Sequence, residues 1–225
     1  MKYKKPIEMP RGTHYGNNYF IVYSRKEKRC VKLFSNIEYY NFLKIEMDPD
    51  IVALCEQFDE IRFPVDGEEI TFIPDMITED VQGRLTVVEV KTSADLSGQG
   101  ENAKRTQRQI KAESAWCQAM GYAFEVRTED DYLSQKYLMP NLHHLAERIR
   151  RYYSNDNSSE RYIRRLFDGA KELTVADIID SCKMPSGYEL DALAELYYLG
   201  VVNMELRKLP LCGRTKVKLR EKGAS

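Results

Sequence analysis

The stretch Ile70–Lys91, ITFIPDMITEDVQGRLTVVEVK, decides the fold. Two short apolar runs, Ile70–Ile77 and Leu85–Val90, flank a polar connector, Thr78–Arg84, that contains Gly83. β-Branched residues suit a pleated surface and glycine supplies a turn, so the pattern predicts two strands of a hairpin. Each run carries a carboxylate: Asp75 behind Pro74 on the first, Glu89 ahead of Val90 and Lys91 on the second. Alternate residues of a strand share a face, so Glu89 and Lys91 project together while Val90 points the other way. An acid two positions from a lysine, opposite a second acid, can hold a divalent cation and a scissile phosphate together.

Glu89 and Lys91 also fit a blander reading, the solvated face of an edge strand. Against it stand Val87, Val88 and Val90, which make the run nearly continuous in apolar residues, as in a strand covered on both faces. A polar group buried there without a partner costs about 2–7 kcal/mol. Asp75 is set as deeply in its own run, between Phe72-Ile73 and Met76-Ile77.

Pro74-Asp75 with Glu89-Val90-Lys91 resembles the PD-(D/E)XK nuclease signature. Upstream, Ser35-Asn36-Ile37-Glu38-Tyr39-Tyr40-Asn41-Phe42-Leu43 has apolar residues at helical spacing, with Ser35 or Asn36 as cap. Met47-Asp48-Pro49-Asp50-Ile51-Val52 then ends that helix at Pro49. A Ser–x–x–Glu helix, a DPDIV turn, a PD strand and an EVK strand, in that order, resemble TnsA, the endonuclease subunit of heteromeric transposases. Downstream, Gly121–Asp130 resembles that family's strand ending in a Thr-Glu pair, and Asn141-Leu142 with His143 and Leu145 resembles the entry to its second domain. The likeness is good over about residues 10–150 and looser beyond. It implies Glu38, Asp75, Glu89 and Lys91 as catalytic residues. It also implies one or two Mg²⁺ (or Mn²⁺) ions held by Glu38, Asp75, Glu89 and the Val90 carbonyl. The implied partners are double-stranded DNA at transposon ends, a DDE-type transposase and an AAA+ ATPase regulator, in a prokaryotic, nucleoid-associated cytoplasmic setting.

Composition limits the alternatives. The chain has 225 residues, which suits one large or two small domains, and 31% of them are charged. Mean hydropathy is −0.54, and no stretch approaches the roughly 18 apolar residues of a membrane span. Met1–Pro6 is basic, yet no apolar segment follows it as in a signal peptide. Cys30, Cys55, Cys117, Cys182 and Cys212 are widely spaced without a CxxC pair, which suits a reducing compartment and argues against a zinc site. His14, His143 and His144 are too scattered for a histidine centre, so a metal here is expected to be oxygen-ligated. Residues 141–225 hold 15 basic and 12 acidic side chains, leaving 19 and 23 for residues 1–140. The first part is therefore net acidic and by itself poorly suited to phosphate.

The expected organisation is a restriction-endonuclease-like α/β core with a mixed sheet over residues 1–140, then a small winged-helix-like domain over 141–225. In the core, Tyr19–Ser24 and Cys30–Phe34 read as a hairpin with a basic tip, Arg25–Arg29. That tip suits either backbone phosphate or plain solubility. Gln57–Val65 reads as a strand before a turn at Asp66-Gly67, and Thr92–Gln99 as a loop. Glu101–Met120 reads as a long helix ended by Gly121. Its Lys104, Arg105, Arg108 and Lys111 fit a DNA-facing or a merely solvated face, and Trp116 fits the core. Tyr122–Thr128 reads as a further strand. The spacing Gln118–Tyr122 mimics a QxxxY motif of RecB-like nucleases but straddles the helix end.

In the second part, Asn141–Tyr153 is amphipathic and Ser154–Ser159 is a polar connection. Glu160–Phe167, Thr174–Ser181 and Tyr188–Leu199 read as three helices, and Val201–Leu206 with Lys216–Arg220 as a wing. The third helix carries Glu189, Asp191 and Glu195, unsuited to phosphate contact. Its Leu190, Leu193, Leu196 and Tyr197 suit either a protein groove or the domain's own core. Arg207, Lys208, Arg214, Lys216 and Lys218 make the wing the better DNA-facing candidate. Two other functions compete with the transposon endonuclease: another PD-(D/E)XK nuclease of restriction, repair or phage type, and a catalytically silent adaptor.

Overall fold

A computed structural model describes Tyr3, residues 5–9, 18–151, 158–181 and 188–221. His14, Cys182 and most of the polar stretch 154–159 lie outside the described residues. The chain forms two compact units. One contains the residues up to Glu46 together with Asp50–Ser134; the other contains Met47–Pro49 and the residues from Gln135 onward.

The first unit opens with a hairpin, β1 (Phe20–Ser24) and β2 (Arg29–Leu33), and a helix, α1 (Asn36–Glu46). Ser35 starts α1, its Oγ accepting the Glu38 N–H at 3.1 Å. Then come β3 (Ile51–Glu56), the hairpin β4 (Ile61–Val65) and β5 (Glu68–Phe72), β6 (Met76–Asp80) and β7 (Leu85–Val90). A short α2 (Ser93–Ser97) precedes the long α3 (Glu101–Met120), which leads into β8 (Ala123–Arg127) and α4 (Asp130–Leu133). The central sheet runs β3-β6-β7-β8; β7 and β8 are parallel and the other pairs antiparallel. A parallel pair needs a crossover, and α3 supplies it. Gly121 ends α3 at φ 71°, its N–H reaching the Cys117 and Gln118 carbonyls.

Two apolar layers hold this sheet. Cys55, Ile77 and Val87 pack with Phe58, Ile61, Phe72 and the α3 residues Ala112, Trp116 and Cys117. Leu54 and Met76 belong to a second cluster with Val22, Val31, Leu33, Phe42 and Ile45. Trp116 is thus a core residue. The basic tip of the first hairpin is tied inward: Arg29 donates to both oxygens of fully buried Glu56 at 2.7 and 2.6 Å, and the Arg25 N–H donates to Glu46 at 2.7 Å.

Four local expectations change. Thr92–Gln99 is not all loop: Thr92 caps the short helix α2, its Oγ accepting the Asp95 N–H at 3.1 Å. Ile70–Ile77 is not one strand: β5 ends at Phe72 and β6 begins at Met76. Pro74 lacks an N–H and restricts Ile73, so the ladder breaks there and the chain passes from the β4–β5 hairpin into the central sheet. Ile51–Glu56, read only as the end of a turn, is the edge strand β3. Residues 57–60 are not strand, because Gln57 adopts a left-handed φ of 34° that ends β3.

Among the described residues the second unit has four helices, α5 (Leu138–Arg151), α6 (Ser158–Leu166), α7 (Val175–Ser181) and α8 (Tyr188–Tyr198). Its sheet has the order β10 (Val202–Met204), β11 (Lys216–Leu219) and β9 (Leu173–Thr174), all antiparallel. Leu142, Leu145, Ile149, Ile163, Ile178, Leu193 and Leu196 are buried in it. Leu193 and Leu196 therefore fill the unit's own core, while Leu190 and Tyr197 of the same stripe stay half-buried. Asn141 fastens the loop between β10 and β11, donating to the Leu206 and Leu209 carbonyls (both 2.9 Å) and accepting the Leu211 N–H (2.8 Å).

Replacing Arg29 with Ala strands the buried Glu56 carboxylate, and the expected cost is about 3–5 kcal/mol. Lys111→Ala, which removes an exposed pairing with Asp66, should stay within about 0.5 kcal/mol. Chemical denaturation midpoints of the two variants check both values.

Candidate active site

β7 presents Val87, Glu89 and then Lys91 on one face, the face covered by α3. The Glu89 side chain has no solvent exposure, so its carboxylate depends wholly on protein partners. Lys91 Nζ pairs with Oε1 of Glu89, and the Gln109 side-chain amide donates to that same oxygen at 3.0 Å. The backbone N–H of Asp75 donates to Oε2 at 3.2 Å. In return the Val90 N–H donates to Oδ2 of Asp75 at 2.7 Å. The break at Pro74 makes this exchange possible: Asp75 lies outside the strand, so its N–H turns to Glu89 while its carbonyl accepts the Gln57 N–H at 3.0 Å. The two signature segments are thus clasped to each other.

Glu38 sits in the first turn of α1, 9% exposed, and accepts the Phe34 N–H at 3.0 Å and the Gln57 amide at 3.4 Å. Burial and the charge of Asp75 push its carboxyl up to about 7. Burial, then Asp75 and Glu113, push Glu89 well above the ordinary carboxylate range. Burial opposes charge on Lys91, but Asp75 and Glu89 outweigh it and hold the ammonium protonated above its usual range. The structure therefore brings together Glu38, Asp75, Glu89 and Lys91 as the sequence groups them.

Glu113 and Gln109 went unread in the sequence. Glu113 lies on α3, fully buried, accepting from Gln109 at 2.8 Å, and burial pushes it up to about 7. A signal was present: Gln109, Ala112, Glu113, Trp116 and Cys117 follow the i, i+3, i+4, i+7 stripe of a core-facing helix, and an acid on such a stripe is out of place. Glu129, of the Thr-Glu pair after β8, accepts the Ser93 N–H at 2.9 Å and so anchors the chain just past Lys91. The exposed α3 cations Lys104, Arg108 and Lys111 are paired with Glu101, Glu68 and Asp66, a solvated face.

The donor chemistry fits a hard divalent cation. Glu38, Asp75 and Glu89 offer only oxygen, and Oε2 of the neighbouring Glu113 is buried with no hydrogen-bond partner. Among the described residues no three His, Cys, Asp or Glu side chains already stand as a metal cage. In the arrangement seen, Lys91 and backbone N–H groups occupy the Glu89 and Asp75 oxygens.

A mixed sheet whose second and third strands clasp two acids and a lysine, backed by a crossover helix, is consistent with the core of an α/β nuclease. Residues 48–129 match the family described as TnsA-like endonuclease, N terminal, so this stretch is similar to a TnsA-like nuclease domain. The match runs from just before β3 to Glu129 and leaves Glu38 outside. No curated protein matches the chain.

Glu38 and Glu113 have folded-state pKa values above their unfolded ones, so they favour the fold fully below about pH 4.5. That contribution is lost as pH rises through about 7. Melting of the protein in chelator should accordingly decline between pH 5 and 8, and Glu113→Gln should flatten the decline. Thermal scans across that range check it.

Proposed function

We propose that the first unit hydrolyses DNA phosphodiester bonds in a Mg²⁺- or Mn²⁺-dependent reaction, cutting the 5′ ends of a transposon during cut-and-paste transposition. The observation that carries this reading is the Asp75–Glu89–Lys91 clasp inside a stretch that matches an endonuclease family. Asp75, Glu89, Glu38 and the Val90 carbonyl would hold the cation. Bound there, it supplies charge that polarises the phosphate and acidifies a water nucleophile. Lys91 contributes a fixed positive charge: held protonated, it cannot take the proton of water and instead stabilises negative charge growing on the phosphate oxygens. Asp75 and Glu89 keep Lys91 charged.

The net acidity of residues 1–140 favours a partner that brings DNA to this site. A DDE-type transposase and an AAA+ ATPase regulator are the partners proposed. In the second unit, α6, α7 and α8 followed by β10 and β11 support a winged-helix-like domain, with Arg207, Lys208, Arg214, Lys216 and Lys218 as its DNA-facing cations. On α8, Leu190 and Tyr197 rather than the buried Leu193 and Leu196 would be the residues to meet the regulator.

Asp75→Ala and Lys91→Ala should each lower strand cleavage by at least about 10²–10³-fold. Circular dichroism should show both variants folded. Labelled transposon-end duplexes with Mg²⁺ or Mn²⁺, with and without the transposase, provide the assay. The isolated protein is expected to cut feebly and the partner to stimulate it. Strong, sequence-specific double-strand cutting by the chain alone would favour a restriction-type enzyme instead.

A further inference from the structure

The Gln109 amide group makes two contacts in a place where each matters. Its nitrogen carries two hydrogens; one goes to Oε1 of Glu89 at 3.0 Å and the other to Oε1 of Glu113 at 2.8 Å. Both acceptors are fully buried, and they would repel each other if left without a donor between them. On Glu89 the amide completes a set of three donors, with Lys91 on the same oxygen and the Asp75 N–H on the other. A carboxylate offers about four lone-pair sites. Three are taken, and the direction of the fourth is set by the grip of the other three.

We propose that Gln109 is a positioning residue for the metal site: its amide bridges Glu113 to Glu89 and fixes the direction in which Glu89 presents its remaining lone pair to the cation. The proposal rests on the metal-dependent reading given above. Gln109 acts through Glu89 and touches neither phosphate nor metal. Glu113 serves as the wall against which the amide is braced, and its position on the crossover helix ties the packing of α3 to the aim of an acid on β7. Without the amide, Glu89 keeps Lys91 and the Asp75 N–H but loses the donor that stands between it and Glu113, and the pair repels. Outer-shell partners of metal ligands are worth about 10–100-fold in metal affinity, and that is the size of the expected effect.

The test is calorimetric binding of Mn²⁺ to the full chain, free of DNA, for wild type, Gln109→Leu, Gln109→Ala, Glu113→Gln and Asp75→Asn. Wild type should bind, and Asp75→Asn should not. Gln109→Leu should bind about 10–100-fold more weakly. Glu113→Gln keeps an oxygen acceptor for the amide and should stay within about threefold of wild type, since a second-shell effect begins near tenfold. In cleavage assays the Mn²⁺ concentration for half-maximal rate should rise in Gln109→Leu by the same factor, while the rate at saturating Mn²⁺ stays near that of wild type. Thermal unfolding in chelator establishes that the variants fold. Gln109→Ala repeats the comparison on this half-buried helical position if leucine disturbs the packing. Wild-type Mn²⁺ affinity in a folded Gln109 variant overturns the proposal. A large loss in Glu113→Gln overturns it too, by making Glu113 itself the ligand. Absence of Mn²⁺ binding by the wild type defeats the metal-dependent reading itself, which separates the two failures.

Discussion

A carboxylate taken wholly out of water has to be compensated, and in the nuclease unit that requirement falls on Glu89. Its cost, several kcal/mol if unpaired, is met from three directions: a lysine two residues on, a backbone N–H from the opposite segment, and an amide from the crossover helix. Each donor fixes a different part of the fold. Lys91 requires β7 to continue past Val90 with its alternation intact. The Asp75 N–H requires β6 to start late, at the proline break. Gln109 requires α3 to lie across the face of Val87 and Glu89. The sheet order and the helix crossover are the arrangement that satisfies all three.

The same crowding that makes the site expensive gives it chemistry. Four acids share one buried region with a single lysine, and burial together with mutual repulsion raises Glu38, Glu89 and Glu113. Protons relieve such a cluster at low pH; a divalent cation can relieve it at neutral pH. Lys91, meanwhile, is driven the other way and kept charged.

Much of this was legible in the chain. Glu89 and Lys91 stood out because a period of two put them on one face of a run otherwise made of valines, and Asp75 because an acid followed a proline inside an apolar stretch. Glu101–Met120 was bounded by its C-terminal glycine. The trace failed where local pattern and tertiary pairing disagree. Ile70–Ile77 looks like one strand because every side chain in it suits a strand, yet its halves pair with different partners. Ile51–Glu56 was hidden by the Asp-Pro-Asp turn before it. Glu113 was hidden by a helix whose exposed face is thick with charge, so one more acid drew no notice until its place on the buried stripe was counted.

The β4–β5 hairpin lies between two strands, β3 and β6, that pair with each other. It is an excursion from the sheet, closed by Asp66 and Gly67, both at positive φ as a tight two-residue turn demands. Open space surrounds the Gly67 Cα. Change at that tip leaves the register of β3 on β6 untouched, because β4 and β5 pair only with each other. The turn is therefore a natural port into the nuclease unit: a place where a fluorophore or a short tether can be spliced in to follow assembly, and where evolution can lengthen the chain without disturbing the chemistry.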